Sequence, residues 1–218
     1  MRSSNGYTYF FVIAMAVISA LLLSVMKISL QEQQEFNKAL DTKKNVLKTV
    51  GALELGMSGS DVEELYSSKF IRQSVLDSEG NEREFYIYGS PASPEGYVLP
   101  VSGKGVWSTI NGFIALDADK NTVKGISFYD HGETPGLGGE IEKDFFTSRF
   151  VGKKIFKDGE LVSVTIAKSK LQEQSEHAVD GISGASLTTG GINIFLRDNL
   201  LDYLQMLKER DEGDTSWQ

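Results

Sequence analysis

Two glycine-rich segments carry the side chains with which this chain could do chemistry. The first is His131-Gly132-Glu133-Thr134-Pro135-Gly136-Leu137-Gly138-Gly139, placed directly after a stretch with strand character. The second is Asp180-Gly181-Ile182-Ser183-Gly184-Ala185-Ser186, which runs on through Leu187-Thr188-Thr189-Gly190-Gly191 into a strongly periodic helix. In the first, glycine and proline are ordinary turn punctuation, and composition alone favours a plain surface loop. The functional alternative is a loop whose backbone lets a flat ligand come close, with Leu137 as an apolar face and Glu133 and Thr134 as polar contacts. His131 is a candidate proton donor there, although a lone histidine is more often structural.

The second segment offers hydroxyls at Ser183, Ser186, Thr188 and Thr189 among small neighbours. Helix capping by Thr188 or Thr189 is the plain reading. A helix start also attracts phosphate, because unpaired N–H groups and the macrodipole both point at it. A phosphate joined to Ser186 would lie within about one turn of that start. Physics permits such a site without requiring it.

Several common catalytic patterns are missing. The sequence has no phosphate-binding loop ending in Gly-Lys-Ser/Thr and no dinucleotide fingerprint. Neither Ser183 nor Ser186 sits in a nucleophile elbow, and His177 has no evident triad partner. NADH oxidation or hydrolysis by this chain alone is not expected, and no catalytic residue is assigned. With no cysteine and only two histidines, the chain has neither disulfides nor thiolate-held clusters, and no metal ligand set is assigned.

The elements that must position these segments follow from periodicity. Phe36, Ala39, Leu40, Leu47 and Val50 predict a helix over 31–50, stopped by Gly51. A second helix is expected from Ser60, where Ser60-Asp61-Val62-Glu63 has the form of a capping box. Strands are expected over 83–90, 105–116 and 123–129, the last two as a hairpin around Asp117–Asn121. Alternation over Leu161–Ala167 predicts another strand, with Val162, Val164 and Ile166 on one face. The final helix carries Ile192, Phe195, Leu196, Leu200, Tyr203, Leu204 and Leu207 as one broad apolar stripe. The fold class is α+β: a mixed domain with an antiparallel sheet and flanking helices.

A different kind of element precedes that domain. Tyr7–Met26 is twenty positions without a charge, the length that an apolar helix needs to cross a bilayer core. A cleaved signal peptide would have a shorter apolar stretch and a small-residue cleavage site, whereas this run ends Val25-Met26-Lys27-Ile28. The expected division is therefore a membrane anchor over 1–30, a linking helix over 31–50, a domain over 51–210 and a polar tail over 211–218. The basic residues flanking the span do not settle its orientation. Setting aside Arg2 and Lys27, the net charge of −8 leaves −10 on the rest, which argues against nucleic acid or anionic lipid as a partner of the domain.

At the two glycine-rich segments the sequence resembles a known family. It is similar to the FMN-binding subunits of respiratory ion pumps, specifically the C subunit of the sodium-translocating NADH:quinone oxidoreductase. That family carries a segment of the form Asp-x-x-Ser-Gly-Ala-Thr, at which a flavin transferase joins the FMN phosphate to the final hydroxyl as a phosphoester. Asp180, Ser183, Gly184 and Ala185 match, and Ser186 stands where threonine is usual. Thr188 is the alternative acceptor. The likeness extends through Gln34–Asp41, Lys44–Leu47, Gly96–Leu116 with its run Leu99–Ser108, and His131–Glu142. The G subunit of the Rnf electron-transport complex shares the Glu-Thr-Pro-Gly-Leu-Gly and acceptor motifs but matches less well around Lys104 and Trp107.

The resemblance implies a covalent FMN contacted by Glu133, Thr134, Gly136, Leu137 and Gly138 from one loop and by Asp180, Ser183, Gly184, Ala185, Ser186 and Thr188 from the other. It implies electron relay from NADH toward quinone, coupled to sodium export, with other subunits of the complex as partners. It also implies a single-pass protein of the bacterial inner membrane with its domain on the outer, periplasmic face. An Rnf-type protein and a flavin-free anchored scaffold are the alternatives.

Overall fold

The computed structural model describes residues 5–76 and 81–211, so the expected tail past Asp211 lies outside the described residues. The chain divides into two compact units, Met1–Thr42 and Lys43–Gln218.

Helix α1 is Asn5–Thr49, and the described part of the first unit is its stretch up to Thr42. Its apolar run from Tyr7 to Met26 is exposed at every position but Ala14, which is half-buried. Among the described residues it is the one helix long and apolar enough to cross a membrane. The helix ends where glycine allows it to. Gly51 adopts φ +72°, its N–H donates to the Lys48 carbonyl, and the Ala52 N–H donates to the Leu47 carbonyl. This six-to-one and five-to-two pair closes the last turn of many helices.

The second unit is built on an antiparallel five-stranded meander: β1 (Phe70–Leu76), β2 (Glu82–Ser90), β3 (Ser93–Lys104), β4 (Thr109–Asp117) and β5 (Val123–Asp130), each paired with the next. Strand alternation separates two apolar faces. Phe85, Ile87, Leu99, Val101, Ile110, Ile114 and Leu116 belong to the main core, packed with the buried stripe of α4 (Ser186–Asp211): Ile192, Phe195, Leu196, Leu200, Tyr203 and Leu207. Burial of each such side chain contributes about 1.5–3 kcal/mol before entropy is counted. Phe195 lies directly over Gly103, where a side chain would occupy the space of its ring. Two asparagines fix the helix axially. Asn193 pairs with both backbone groups of Ile166, at 2.7 and 3.0 Å, and Asn199 with both backbone groups of Ser102, at 3.1 and 3.2 Å.

On the opposite face Tyr86 sits edge-on to both Tyr66 and Phe113, and Tyr66 stacks on Phe70. Tyr66 belongs to α2 (Gly59–Lys69), and the short α3 (Asp144–Thr147) comes later in the chain, after β5. The capping box of α2 is set two residues earlier than the sequence suggests. Ser58 is the cap, its hydroxyl accepting the Asp61 N–H while the Asp61 carboxylate accepts the Ser58 N–H. Both serines have an acid three residues on, and the upstream pair forms the box. The end of α1 lies against β5: Thr49 and Ser127 share a buried hydroxyl–hydroxyl bond of 2.6 Å beside Gly125.

Two strand expectations change. Residues 105–108 form the turn between β3 and β4, closed by the Gly105 N–H on the Ser108 carbonyl, and the strand begins only at Thr109. The alternating run 161–167 breaks at Ser163, which takes φ +61°. Val162 and Ser163 both donate to the Ile155 carbonyl, leaving short pieces: β6 (Phe156–Lys157), β7 (Glu160–Leu161), β8 (Thr165–Ile166) and β9 (Ala178–Val179). Val164 and Ile166 nevertheless enter the core as their alternation requires.

A methyl group at Gly125 would collide with the Thr49 carbonyl, which is backbone and cannot swing aside. Gly125→Ala is expected to destabilise the second unit by about 1–3 kcal/mol, read as a lower urea midpoint; an unchanged midpoint would show that the end of α1 is not packed there.

Candidate functional site

The two glycine-rich segments fold as facing β-turns. In the first, the Leu137 N–H donates to the Thr134 carbonyl at 3.1 Å, and Pro135 and Gly136 occupy the corner, with Gly136 at φ +77°. Proline presets the first corner position and glycine tolerates the positive φ of the second. The second turn repeats this chemistry: the Ala185 N–H donates to the Ile182 carbonyl at 3.1 Å, and Gly184 takes φ +76°. The turns touch. A Cβ on Gly184 would come within 2.7 Å of a Leu137 methyl, so the bare backbone of one turn is the seat for the apolar side chain of the other.

Beneath that contact lies the carboxylate of Glu133, only 5% exposed. One oxygen accepts the Thr188 hydroxyl at 2.5 Å, and the other accepts the backbone N–H groups of Val106 and Trp107 at 2.9 and 3.0 Å. Three segments distant in sequence therefore meet on one acid: the β3–β4 turn, the first glycine-rich loop and the first turn of α4. Burial would raise the Glu133 pKa, but the bonds from Thr188, Trp107 and Val106 outweigh it and hold the acid below its ordinary range. Gly138 packs directly on the Thr188–Glu133 pair, with no room for a side chain.

His131 and Ser108 complete the base of the loop. The Ser108 hydroxyl accepts the Gly132 N–H at 2.6 Å, and the Nδ1 of His131 accepts the Glu133 N–H at 3.3 Å. Its Nε2 is buried, 3.7 Å from a Glu142 oxygen. By accepting a backbone N–H two residues on, His131 shapes its own loop.

Helix α4 begins at Ser186 itself, earlier than capping by Thr188 or Thr189 would require. Thr188, 3% exposed, spends its hydroxyl on Glu133, and Thr189, also buried, turns its hydroxyl back to the Ala185 carbonyl at 3.1 Å. Ser183, Gly184, Ser186 and Leu187 are exposed, while Ile182 and Ala185 are anchored in the core. Asp180 is half-buried, its carboxylate accepting the Leu171 N–H at 2.7 Å. Thr134 contributes its carbonyl, which also accepts the Gly139 N–H at 2.9 Å, and the Gly136 N–H donates to Glu140.

The residues marked by the sequence thus divide by role. Glu133, Gly138 and Thr188 form the buried tie, Leu137 and Gly184 form the contact between turns, and Ser183 and Ser186 stand at the surface. Sequence reasoning missed the N–H groups of Val106 and Trp107, the Ser108 hydroxyl and the guanidinium of Arg149, which donates to the Asp180 and Gly181 carbonyls. Backbone donors have no signature in residue type, and Arg149 lies 31 positions from its nearer acceptor.

The surface above the tie suits a flat aromatic ligand with an acidic end. Leu137, Val106, Leu187 and Trp107, the last 73% exposed, leave apolar area around the start of α4. Ser186 offers a free-standing hydroxyl at a helix start whose first N–H groups have no partner within the helix. Among the described residues no cluster of His, Asp or Glu is arranged to hold a metal ion.

Comparison with known proteins adds names to this geometry. A protein-family profile described as an FMN-binding domain matches residues 105–200. The C subunit of the Na(+)-translocating NADH-quinone reductase of Yersinia pestis is 30% identical over 97% of this chain and 95% of its own length. That of Vibrio anguillarum is 30% identical over 88% of this chain and 90% of its own. The crystal structure of the corresponding protein from Parabacteroides distasonis superposes with a TM-score of 0.72 at 30% identity, covering 82% of this chain and 96% of that one.

Because the folded-state pKa of Glu133 is depressed, its contribution to stability is present above the ordinary carboxylate range and is lost as pH falls through the folded value. Glu133→Gln is expected to cost about 1.5–3 kcal/mol at neutral pH, since one oxygen becomes a donor facing donors. Its unfolding midpoint should also vary less between neutral and acidic pH than that of the parent chain; parallel profiles would contradict the assignment.

Proposed function

The chain belongs to the family of the C subunit of the Na(+)-translocating NADH-quinone reductase, and from that premise we propose that its FMN is carried covalently on the Ser186 hydroxyl, between the two facing turns. As a member of this family the chain is an FMN-binding, electron-transferring subunit of a multisubunit sodium-translocating oxidoreductase. The observation that carries the attachment point is the contrast between two hydroxyls. Ser186 is exposed at the first residue of α4, whereas Thr188 is buried and donates to Glu133. Only the former is accessible to a second enzyme without breaking the buried tie.

Attachment needs a donor already activated. Condensing a serine hydroxyl with a free phosphate in water runs uphill, so the transferase partner must use a flavin phosphoanhydride. In such a transfer the Ser186 oxygen would bond to phosphorus as the anhydride P–O bond broke, the departing phosphate half would carry away the negative charge, and the hydroxyl proton would go to a base of the transferase. The missing methyl, relative to the family's threonine, leaves this nucleophile unchanged in kind. Once bound, the flavin supplies one- and two-electron redox chemistry. The chain's own residues do the positioning. Leu137 and Trp107 offer apolar surface to the ring, Gly136 and Gly184 keep the backbone low, and Glu133 holds the turns in register. A tether also makes retention independent of free flavin concentration.

The apolar part of α1 serves as a single-pass anchor in the inner membrane, with the second unit on the outer, periplasmic side. The charge-free run Tyr7–Met26 within α1 supports the anchor, and membership of the family supports the side. Partners are the other subunits of the complex and, during maturation, a flavin transferase. Nothing in the geometry favours the G subunit of an Rnf-type complex or a flavin-free scaffold.

In cells supplying the transferase, the denatured chain is expected to fluoresce as flavin in a gel. Ser186→Ala should abolish the signal, and Thr188→Val should keep it at reduced protein stability; the reverse pattern would move the acceptor to Thr188. For topology, the full chain should resist alkaline extraction from membranes and its second unit should be cut by protease added to intact spheroplasts. Protection from that protease would reverse the orientation.

A further inference from the structure

The acceptor segment is tied to the rest of the fold by a residue outside both glycine-rich motifs. Strand β9 ends at Val179, so the carbonyls of Asp180 and Gly181 have no sheet partner. Arg149 supplies one: its Nη1 donates to the Asp180 carbonyl at 2.8 Å and to the Gly181 carbonyl at 3.2 Å. The guanidinium centre lies 5.5 and 5.9 Å from the ring centroids of Phe145 and Phe146, which limits where it can swing. No ion pair with Asp180 is needed, because that carboxylate is engaged by the Leu171 N–H. On the other side, Gly181 rests against the Ala167 carbonyl without room for a side chain. The 180–181 backbone is thus gripped between Arg149 and residue 167. From there to Ser186 the chain has little freedom, since Ile182 and Ala185 are buried and Gly184 is seated on Leu137.

We propose that Arg149 is a positioning residue for the flavin: by clamping the Asp180 and Gly181 carbonyls it fixes where the Ser186 oxygen stands relative to Leu137 and Trp107, and so orders a group attached there. A charged donor shared by two carbonyls suits this task, because each bond is stronger than one between neutral groups. The inference rests on the Ser186 attachment, and its consequence is orientation of the attached group more than attachment itself.

The isoalloxazine ring is achiral, so its visible circular dichroism is weak when only the chiral ribityl chain perturbs it and grows when the protein fixes the ring in an asymmetric setting. Full-length chain, loaded in cells with the transferase and purified in detergent, is compared as parent, Arg149→Ala, Arg149→Lys and Val98→Ala, well below every unfolding midpoint. Val98 is buried on the opposite face of the sheet and provides a destabilised chain with the clamp intact. Arg149→Ala is expected to carry flavin on Ser186 but to lose at least about half of its visible dichroism, together with fluorescence anisotropy, as the charged bonds are removed. Arg149→Lys should recover part of both signals, and Val98→Ala should keep the parent values. Poor attachment in Arg149→Ala that lysine restores also supports the clamp. Unchanged dichroism in Arg149→Ala, equal loss in Val98→Ala, or failure of lysine to restore anything would overturn it. Flavin mapped to another residue in the parent chain would overturn the attachment reading and the clamp together, which separates the two failures.

Discussion

The buried carboxylate of Glu133 is the interaction on which the site depends. Removing an acid from water is costly unless its oxygens are bonded, and here three donors meet it from two other segments: the Val106 and Trp107 N–H groups and the Thr188 hydroxyl. None of the three segments could place itself alone. The 105–108 turn has one internal backbone bond, the first glycine-rich loop is held at its base by Ser108 and His131, and α4 starts at an exposed serine. Joined through one acid, they form a rigid floor with two glycine turns standing on it. The requirement for close approach then explains Gly138 and Gly105, whose positions lie against the same carboxylate.

This arrangement separates hydroxyls that look equivalent in the sequence. Thr188 is consumed in the floor, Thr189 turns its hydroxyl back to the Ala185 carbonyl, and Ser186 is left at the surface at the head of α4. Electron relay through a flavin asks little acid–base chemistry of the chain that carries it. What it needs is a cofactor held in one place, and the geometry supplies places: a seat for Leu137 on Gly184, a clamp at Arg149, and asparagine ties that stop α4 from sliding.

Much of the frame was legible because it rests on local pattern. The apolar stripe of α4, the β4–β5 hairpin, the charge-free run of α1 and the stop at Gly51 all follow from spacing and turn chemistry. What escaped was non-local. The run 161–167 alternates like a strand, yet Ile155 draws two successive N–H groups and forces Ser163 into a positive φ. Residues 105–108 read as strand until Glu133, 26 and 27 positions from the two donors, claims their N–H groups. Thr188 read as a cap because its partner is 55 residues distant. Both segments stand out by residue type alone, and only likeness to a family makes the phosphate an FMN. Physics alone identified a helix start that could receive a phosphate, and the fold explains why one hydroxyl at that start is free to do so.

The exposed serine at the head of α4 bears the flavin, on this account, and the buried threonine two residues on does not. Fragmentation mass spectrometry of the peptide spanning residues 171–197, taken from chain matured with the transferase, tests this directly. The predicted result is an added mass of FMN less water, with every fragment break assigning it to Ser186. The same mass on Thr188 would contradict it, as would an unmodified peptide.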